Sequence, residues 1–100
     1  MQVTVTPQDT KTLVRLVGRI DTSNVEQFQQ DITPLMQLEN PDIEIDCSEM
    51  SYTSSQGLRM FLMLQKSVMA HHGKMVLVGM NPQVKEVFDI TGFSNIINII

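Results

Sequence analysis

Three short runs rich in β-forming residues, Ile43–Cys47, Met75–Val78 and Ile96–Ile100, are separated by two stretches of helical character, and this alternation constrains the fold more than any other feature. A strand that leads through a helix to another strand of the same sheet joins it in parallel, by a right-handed crossover. Upstream, Val3 and Val5 alternate with polar neighbours, Pro7–Thr10 reads as a turn, and Leu13–Val17 returns as a second β-rich run. The chain therefore opens with a hairpin, whose first strand runs antiparallel to the rest. Ser23 and Glu26 have capping-box spacing, and Val25, Phe28, Ile32, Leu35 and Met36 follow at helical intervals until Pro34 kinks or ends the helix. A second helix is predicted from about Thr53 to His72. A third begins at Asn81, with Pro82 in its first position, carries Val84, Val87 and Phe88 on one stripe, and stops at Gly92. The resulting order is ββαβαβαβ: one α/β domain over residues 1–100, with a mixed five-stranded sheet, an N-terminal hairpin and crossover helices. The continuously apolar Met75–Val78 reads as a strand covered on both faces.

Composition narrows the function. A single cysteine, Cys47, excludes an intramolecular disulfide and gives no thiolate cluster for a metal, so it reads as a small core residue. A formal net charge of -4 and a pI near 4.9 oppose direct binding of nucleic acid, which requires a surface that neutralises phosphates. No segment approaches the ~20 apolar residues of a membrane span, and Met1–Thr6 resembles no secretory leader. Neither membrane insertion nor export is expected, which points to the cytoplasm.

Small polar residues crowd one junction, Tyr52-Thr53-Ser54-Ser55-Gln56-Gly57-Leu58-Arg59, where a strand and short loop feed the second helix. Thr53 and Gln56 are spaced for a reciprocal capping box, which would set Ser54 and Ser55 in the first turn among unpaired backbone N–H groups. Simple capping would account for these residues. Two features suggest more. Gly57 costs about 1 kcal/mol against alanine in a helix, so its missing side chain suggests a close approach, for instance by a partner surface. The following run Leu58, Met60, Phe61, Leu62, Met63 and Leu64 is apolar almost all round, so Met60 and Met63 are candidates for an exposed, adaptable docking patch or, alternatively, for burial under a neighbouring element. A phosphate on Ser55 would add about -1.5 to -2 charges at the positive end of a helix dipole. The fold would tolerate it, whereas an acidic or apolar partner surface would not.

These residues resemble the STAS domain of bacterial anti-sigma factor antagonists and of the cytoplasmic ends of sulfate transporters. The matching pieces are Val17-Gly18-Arg19-Ile20-Asp21, Ile45-Asp46-Cys47-Ser48 through Tyr52, Ser54–Arg59, and Thr91-Gly92-Phe93, which together span nearly the whole chain. The resemblance implies that Ser55, two positions before the glycine, is phosphorylated by an anti-sigma factor serine kinase. The unphosphorylated form would bind that kinase and release its sigma factor, and a serine phosphatase would restore it. The contact surface would comprise Asp21, Thr53, Ser54, Ser55, Gln56, Gly57, Leu58, Met60 and Met63. Asp21 would lie near the phosphoacceptor loop, or else act only as a turn or N-cap residue before Thr22 and Ser23. Some members carry aspartate immediately before the phosphoacceptor; this chain has Ser54, which makes Ser54 a rival site. Members often continue into a further helix beyond the position of Ile100.

Two other classes compete. A hydrolase triad of Ser55 with His71 or His72 and Asp89 lacks the Gly-x-Ser-x-Gly elbow. The histidines suit a helix end, and no His/Cys cluster suggests a metal site or cofactor. No catalytic activity is therefore expected. The stronger rival is a STAS adaptor subunit in a membrane-transport or stress-signalling complex, with no phosphorylation cycle.

Overall fold

The computed structural model describes residues 1–100. The chain forms β1 (Gln2–Gln8), β2 (Lys11–Ile20), α1 (Val25–Ile32), β3 (Asp42–Thr53), α2 (Ser55–Ala70), β4 (Lys74–Val78), α3 (Pro82–Ile90) and β5 (Asn98–Ile99), with 3-10 turns at Thr33–Gln37 and Phe93–Asn95. The predicted order ββαβαβαβ is the one observed. The strands lie side by side in chain order; β1 is antiparallel to β2 and every later neighbour is parallel.

That order decides where the helices go. Each parallel step moves one place across the sheet in the same direction, and right-handed crossovers taken always in one direction put every helix on the same face. Burial follows: Val14 and Leu16 of β2, Ile43, Ile45 and Cys47 of β3, and Met75 and Leu77 of β4 are buried, while Arg15 is exposed and Leu13, Glu44, Asp46, Val76 and Val78 are only partly covered. Cross-strand register sets Leu13, Glu44 and Val76 in one row of the open face and Arg15, Asp46 and Val78 in the next. The expectation that Met75–Val78 is covered on both faces is therefore wrong. Its valines lie on a helix-free surface, beside charged neighbours that keep that surface wet.

Between sheet and solvent the helices contribute one phenylalanine each to a chain of rings. Phe28 of α1 lies 5.4 Å from Phe61 of α2, and Phe61 lies 5.6 Å from Phe88 of α3, centroid to centroid, in tilted and edge-on arrangements. Such pairs add about 0.5–1.5 kcal/mol beyond their buried area, and these two lock the three helices to one another.

Several boundaries differ from those read in the sequence. Pro7 and Gln8 pair with Thr12 and Lys11, so the turn read at Pro7–Thr10 narrows to Asp9-Thr10 and the run Leu13–Val17 lengthens to Lys11–Ile20. The run Ile43–Cys47 extends to Thr53, because the register with β2 slips by one residue twice, between Arg15 and Val17 and between Gly18 and Arg19. Each slip inserts a residue in β3, so its buried positions become Cys47, Met50 and Thr53, a spacing that conceals a strand whose alternation is otherwise strict. The last strand shrinks from Ile96–Ile100 to Asn98–Ile99, since Phe93–Asn95 winds into a 3-10 turn and Ile97 turns into the core. Finally, Ser23 and Glu26 do not box the start of α1. The Asp21 carboxylate takes both the backbone N–H and the hydroxyl of Ser23, and the helix begins at Val25 after Asn24. Pro34 does end that helix, and the chain continues as the 3-10 turn Thr33–Gln37.

Candidate functional site

The double bulge of β3 brings Arg19 opposite Tyr52 and Ile20 opposite Thr53, so the ends of β2 and β3 finish level. The backbone N–H of Ser54 then donates to the Ile20 carbonyl at 2.9 Å, tying the entry of α2 to the residue before Asp21. Two loops distant in sequence thus form one surface, and Asp21 lies beside the start of α2.

The helix is capped by Ser54 and not by Thr53. Ser54 has extended backbone angles, and its hydroxyl oxygen accepts from the Gly57 N–H at 3.2 Å. The Thr53–Gln56 capping box is therefore not formed: the cap falls one residue later, where Gly57 has no side chain to return the bond. Thr53 points inward, buried, with its hydroxyl donating to the Ser54 carbonyl at 3.2 Å. Ser55 becomes the first helical residue. It is exposed, and its hydroxyl takes no part in the cap. An anion placed there meets the first-turn backbone N–H groups and the positive end of a helix of 16 residues.

Gly57 is buried, and the close approach it permits is internal. A Cβ at this position would lie 2.4 Å from Thr53 Oγ1 and 2.8 Å from Ile20 Cγ2. The missing side chain lets α2 press on the ends of β2 and β3, which replaces the expectation that a partner surface requires it.

Of the residues predicted to form the surface, Ser55, Gln56 and Met63 are exposed, while Asp21, Ser54 and Met60 are partly covered. Thr53, Gly57 and Leu58 are buried, so they shape the site from beneath and are unavailable for contact. Met60 packs against the core, and Met63, at 42% exposure, belongs to an outer stripe with Ser55, Gln56, Arg59 and Lys66. The docking patch expected from two methionines reduces to one methionine flanked by two cations.

Two side chains that sequence reasoning missed also rim the site. The Arg19 guanidinium lies 4.8 Å from the centre of the Tyr52 ring, and its Nε donates to Asp21 at 3.0 Å. No local signal pairs residues 19 and 52, because their juxtaposition depends on both bulges. Hydrogen bonds from the Ser23 hydroxyl and backbone, then Arg19, hold the Asp21 carboxyl below the usual aspartate range. Asn24 completes the loop, accepting from the Asp21 N–H and donating to the Arg19 carbonyl. Asp21 therefore organises a turn as well as standing beside the entry of α2.

The arrangement presents an anion-tolerant serine on an ordered surface, and relatives of the chain have the same overall form. A family model described as the STAS domain matches residues 1–100. BtrV of Bordetella bronchiseptica, a proposed anti-sigma factor antagonist, is 30% identical over 96 residues, covering 96% of this chain and 83% of that protein. Among solved structures, the Thermotoga maritima protein TM1081, also a proposed anti-sigma factor antagonist, superposes with a TM-score of 0.87 at 20% identity, covering 97% of this chain and 84% of that one. The Bacillus cell fate determinant SpoIIAA in its phosphorylated form gives a TM-score of 0.74 at 19% identity, covering 99% and 91%. At those identities the solved structures support the fold alone. The full-length family match and the similarity to BtrV go further, and the chain belongs to the STAS domain family.

Proposed function

We propose that this protein is an anti-sigma factor antagonist switched by phosphorylation of Ser55. In its unphosphorylated form it binds an anti-sigma factor serine kinase through Ser55, Gln56, Met63 and the neighbouring Asp21 loop, and the sigma factor is released. The kinase transfers the γ-phosphoryl group of ATP to Ser55 Oγ, ADP departs, and a serine phosphatase later hydrolyses the ester. The chain itself acts as substrate and ligand in this cycle, with no catalytic step of its own.

One observation carries the choice of serine: Ser55 is exposed at the first helical position, while the hydroxyl of its rival Ser54 is half-buried and engaged with Gly57. Phosphate on Ser55 would add about -1.5 to -2 charges at a helix N-terminus, where the fold tolerates them. On the partner side, burying that charge is costly without a cation to meet it. The modification thus blocks association and leaves the domain folded.

The test uses immobilised wild type, Ser55→Ala and Ser55→Asp in lysate of the source organism, with retained proteins quantified by mass spectrometry. Retention of an ATP-binding anti-sigma factor kinase by wild type and Ser55→Ala, and its loss with Ser55→Asp, is the expected result. Equal retention of one partner by all three baits would replace the switch with a constitutive adaptor, and the absence of any such kinase would remove the basis of the proposal.

A further inference from the structure

The sheet has one long free edge, and its chemistry is unusual. β5 is only two residues long, whereas β1 runs for seven along the opposite border, packed mainly on β2. Edge strands of this length are ordinarily blunted by charges, bulges or proline, since their unpaired N–H and C=O groups invite another strand. From Gln2 to Gln8 there is no charged residue, and the register with β2 continues without a slip. Proline appears only at Pro7, next to the hairpin loop.

Alternation of the ladder determines which groups are free. Gln8 pairs with Lys11 across the two-residue loop Asp9-Thr10, so Gln8, Thr6, Thr4 and Gln2 turn their backbone groups toward β2, and Val3, Val5 and Pro7 turn theirs outward. Pro7, having no N–H, sits where none is needed for the hairpin. The outer border therefore offers complete donor and acceptor pairs at Val3 and Val5. Their side chains point to the helix-bearing face with Val14 and Leu16, and Val5 is left 40% exposed there.

We propose that this edge pairs with β1 of a second copy of the chain, antiparallel about a two-fold axis through Thr4. In that register Val3 exchanges both backbone hydrogen bonds with Val5 of the other copy, and Val5 with its Val3. Pro7 falls opposite Met1 of the other copy, before the start of its β1, so no bond between the paired strands needs the missing donor. A register centred on Val5 would instead place Pro7 opposite Val3 and lose a bond on each side. Centring on Thr4 also stacks valine against valine on the helix side and threonine against threonine on the open side, with no charge opposed to its like. The product is one sheet of ten strands, five from each copy, with all helices on one face. The paired residues belong to β1 alone and include none of the residues around Ser55, so this association does not rest on the phosphorylation proposal.

Register makes the pairing testable by cysteine chemistry, since the native Cys47 is fully buried. Thr4 is exposed and would face its own copy as a non-hydrogen-bonded pair, where Cα atoms lie about 4.5 Å apart, inside the range a disulfide spans. Thr6 would face Gln2 of the other copy. Under mild oxidation Thr4→Cys is expected to give a covalent dimer and Thr6→Cys is not. In sedimentation equilibrium the wild type should pass from monomer toward dimer as concentration rises to about 1 mM, and Thr4→Glu, which opposes two carboxylates at the axis, should weaken association about fivefold or more. A wild type monomeric throughout that range, or equal cross-linking by Thr6→Cys, would overturn the proposal.

Discussion

Replacing Gly57 with alanine isolates the packing that holds the functional helix in place. The added Cβ would meet Thr53 Oγ1 at 2.4 Å and Ile20 Cγ2 at 2.8 Å, both distances far inside ordinary contact. Neither neighbour has room to withdraw: Ile20 and Thr53 are buried, and the Thr53 hydroxyl is committed to the Ser54 carbonyl. Overpacking of this kind costs about 1–3 kcal/mol. Against it stands the helix preference of alanine over glycine, at most about 1 kcal/mol and less in a first turn that is already capped. The clash wins, leaving Gly57→Ala destabilised by about 1–2 kcal/mol, or roughly 4–16 °C in Tm for a domain of this size. Urea denaturation followed by circular dichroism measures the loss. Thr53→Ala removes the closest obstructing atom, so in a double-mutant cycle the pair should cost at least about 0.5 kcal/mol less than the sum of the single changes. A neutral or stabilising Gly57→Ala, or an additive cycle, would refute the argument that α2 is seated directly on the ends of β2 and β3.

Three further expectations concern single groups. Ser54→Ala should cost about 0.5–1.5 kcal/mol by removing the cap of α2, while Ser55→Ala should change stability by less than about 0.5 kcal/mol, read from thermal melts of the two variants side by side. At the other end of α2, His72 occupies the left-handed position of a Schellman turn, with φ of 62° and the Gly73 N–H donating to the Val68 carbonyl at 2.8 Å. His72→Gly should relieve that backbone and raise stability by about 0.5–1 kcal/mol in equilibrium denaturation, whereas Gly73 cannot be exchanged, since a Cβ there would run into the Pro41 carbonyl. Burial, and after it the nearby Asp46 charge, pushes the Cys47 thiol up to about 12 from an ordinary 9.0. A thiol raised in the folded state supports stability fully below pH 9.0, and that support is lost as pH climbs from there toward 12, where the unfolded chain sheds a proton that the folded chain keeps. Cys47→Ala should flatten the alkaline decline in a pH series of melts, and the native protein should react with a thiol reagent only on unfolding.

Much of the architecture was legible because it rests on local rules. The hairpin announces itself by alternation around Pro7–Thr10, α3 by Asn81 and Pro82, whose cap is present with the Asn81 side chain accepting from the Val84 N–H at 2.8 Å, and α1 by a stripe that Pro34 interrupts. Strands alternating with helices imply a largely parallel sheet from chain chirality alone. Ser55 was likewise legible as a candidate, since small polar residues before an apolar run mark a helix start in any context.

Only the tertiary structure assigned the roles within that start. Each insertion in β3 reverses which face the next side chains occupy: the first turns Met50 inward, and the second restores the inward side to Thr53. Together they level Thr53 with Ile20, where the Ser54 N–H meets the Ile20 carbonyl, the cap falls on Ser54 and Ser55 is left outside. The same bulges set Tyr52 against Arg19 and level Thr53 with Ile20, which is why Gly57 answers to its own sheet. Bulges and close backbone approaches arise from pairing between segments more than thirty residues apart, and a local pattern carries no record of its distant partner. Composition and periodicity therefore determined the kinds of elements and their order, while the register between strands decided which serine is offered to solvent.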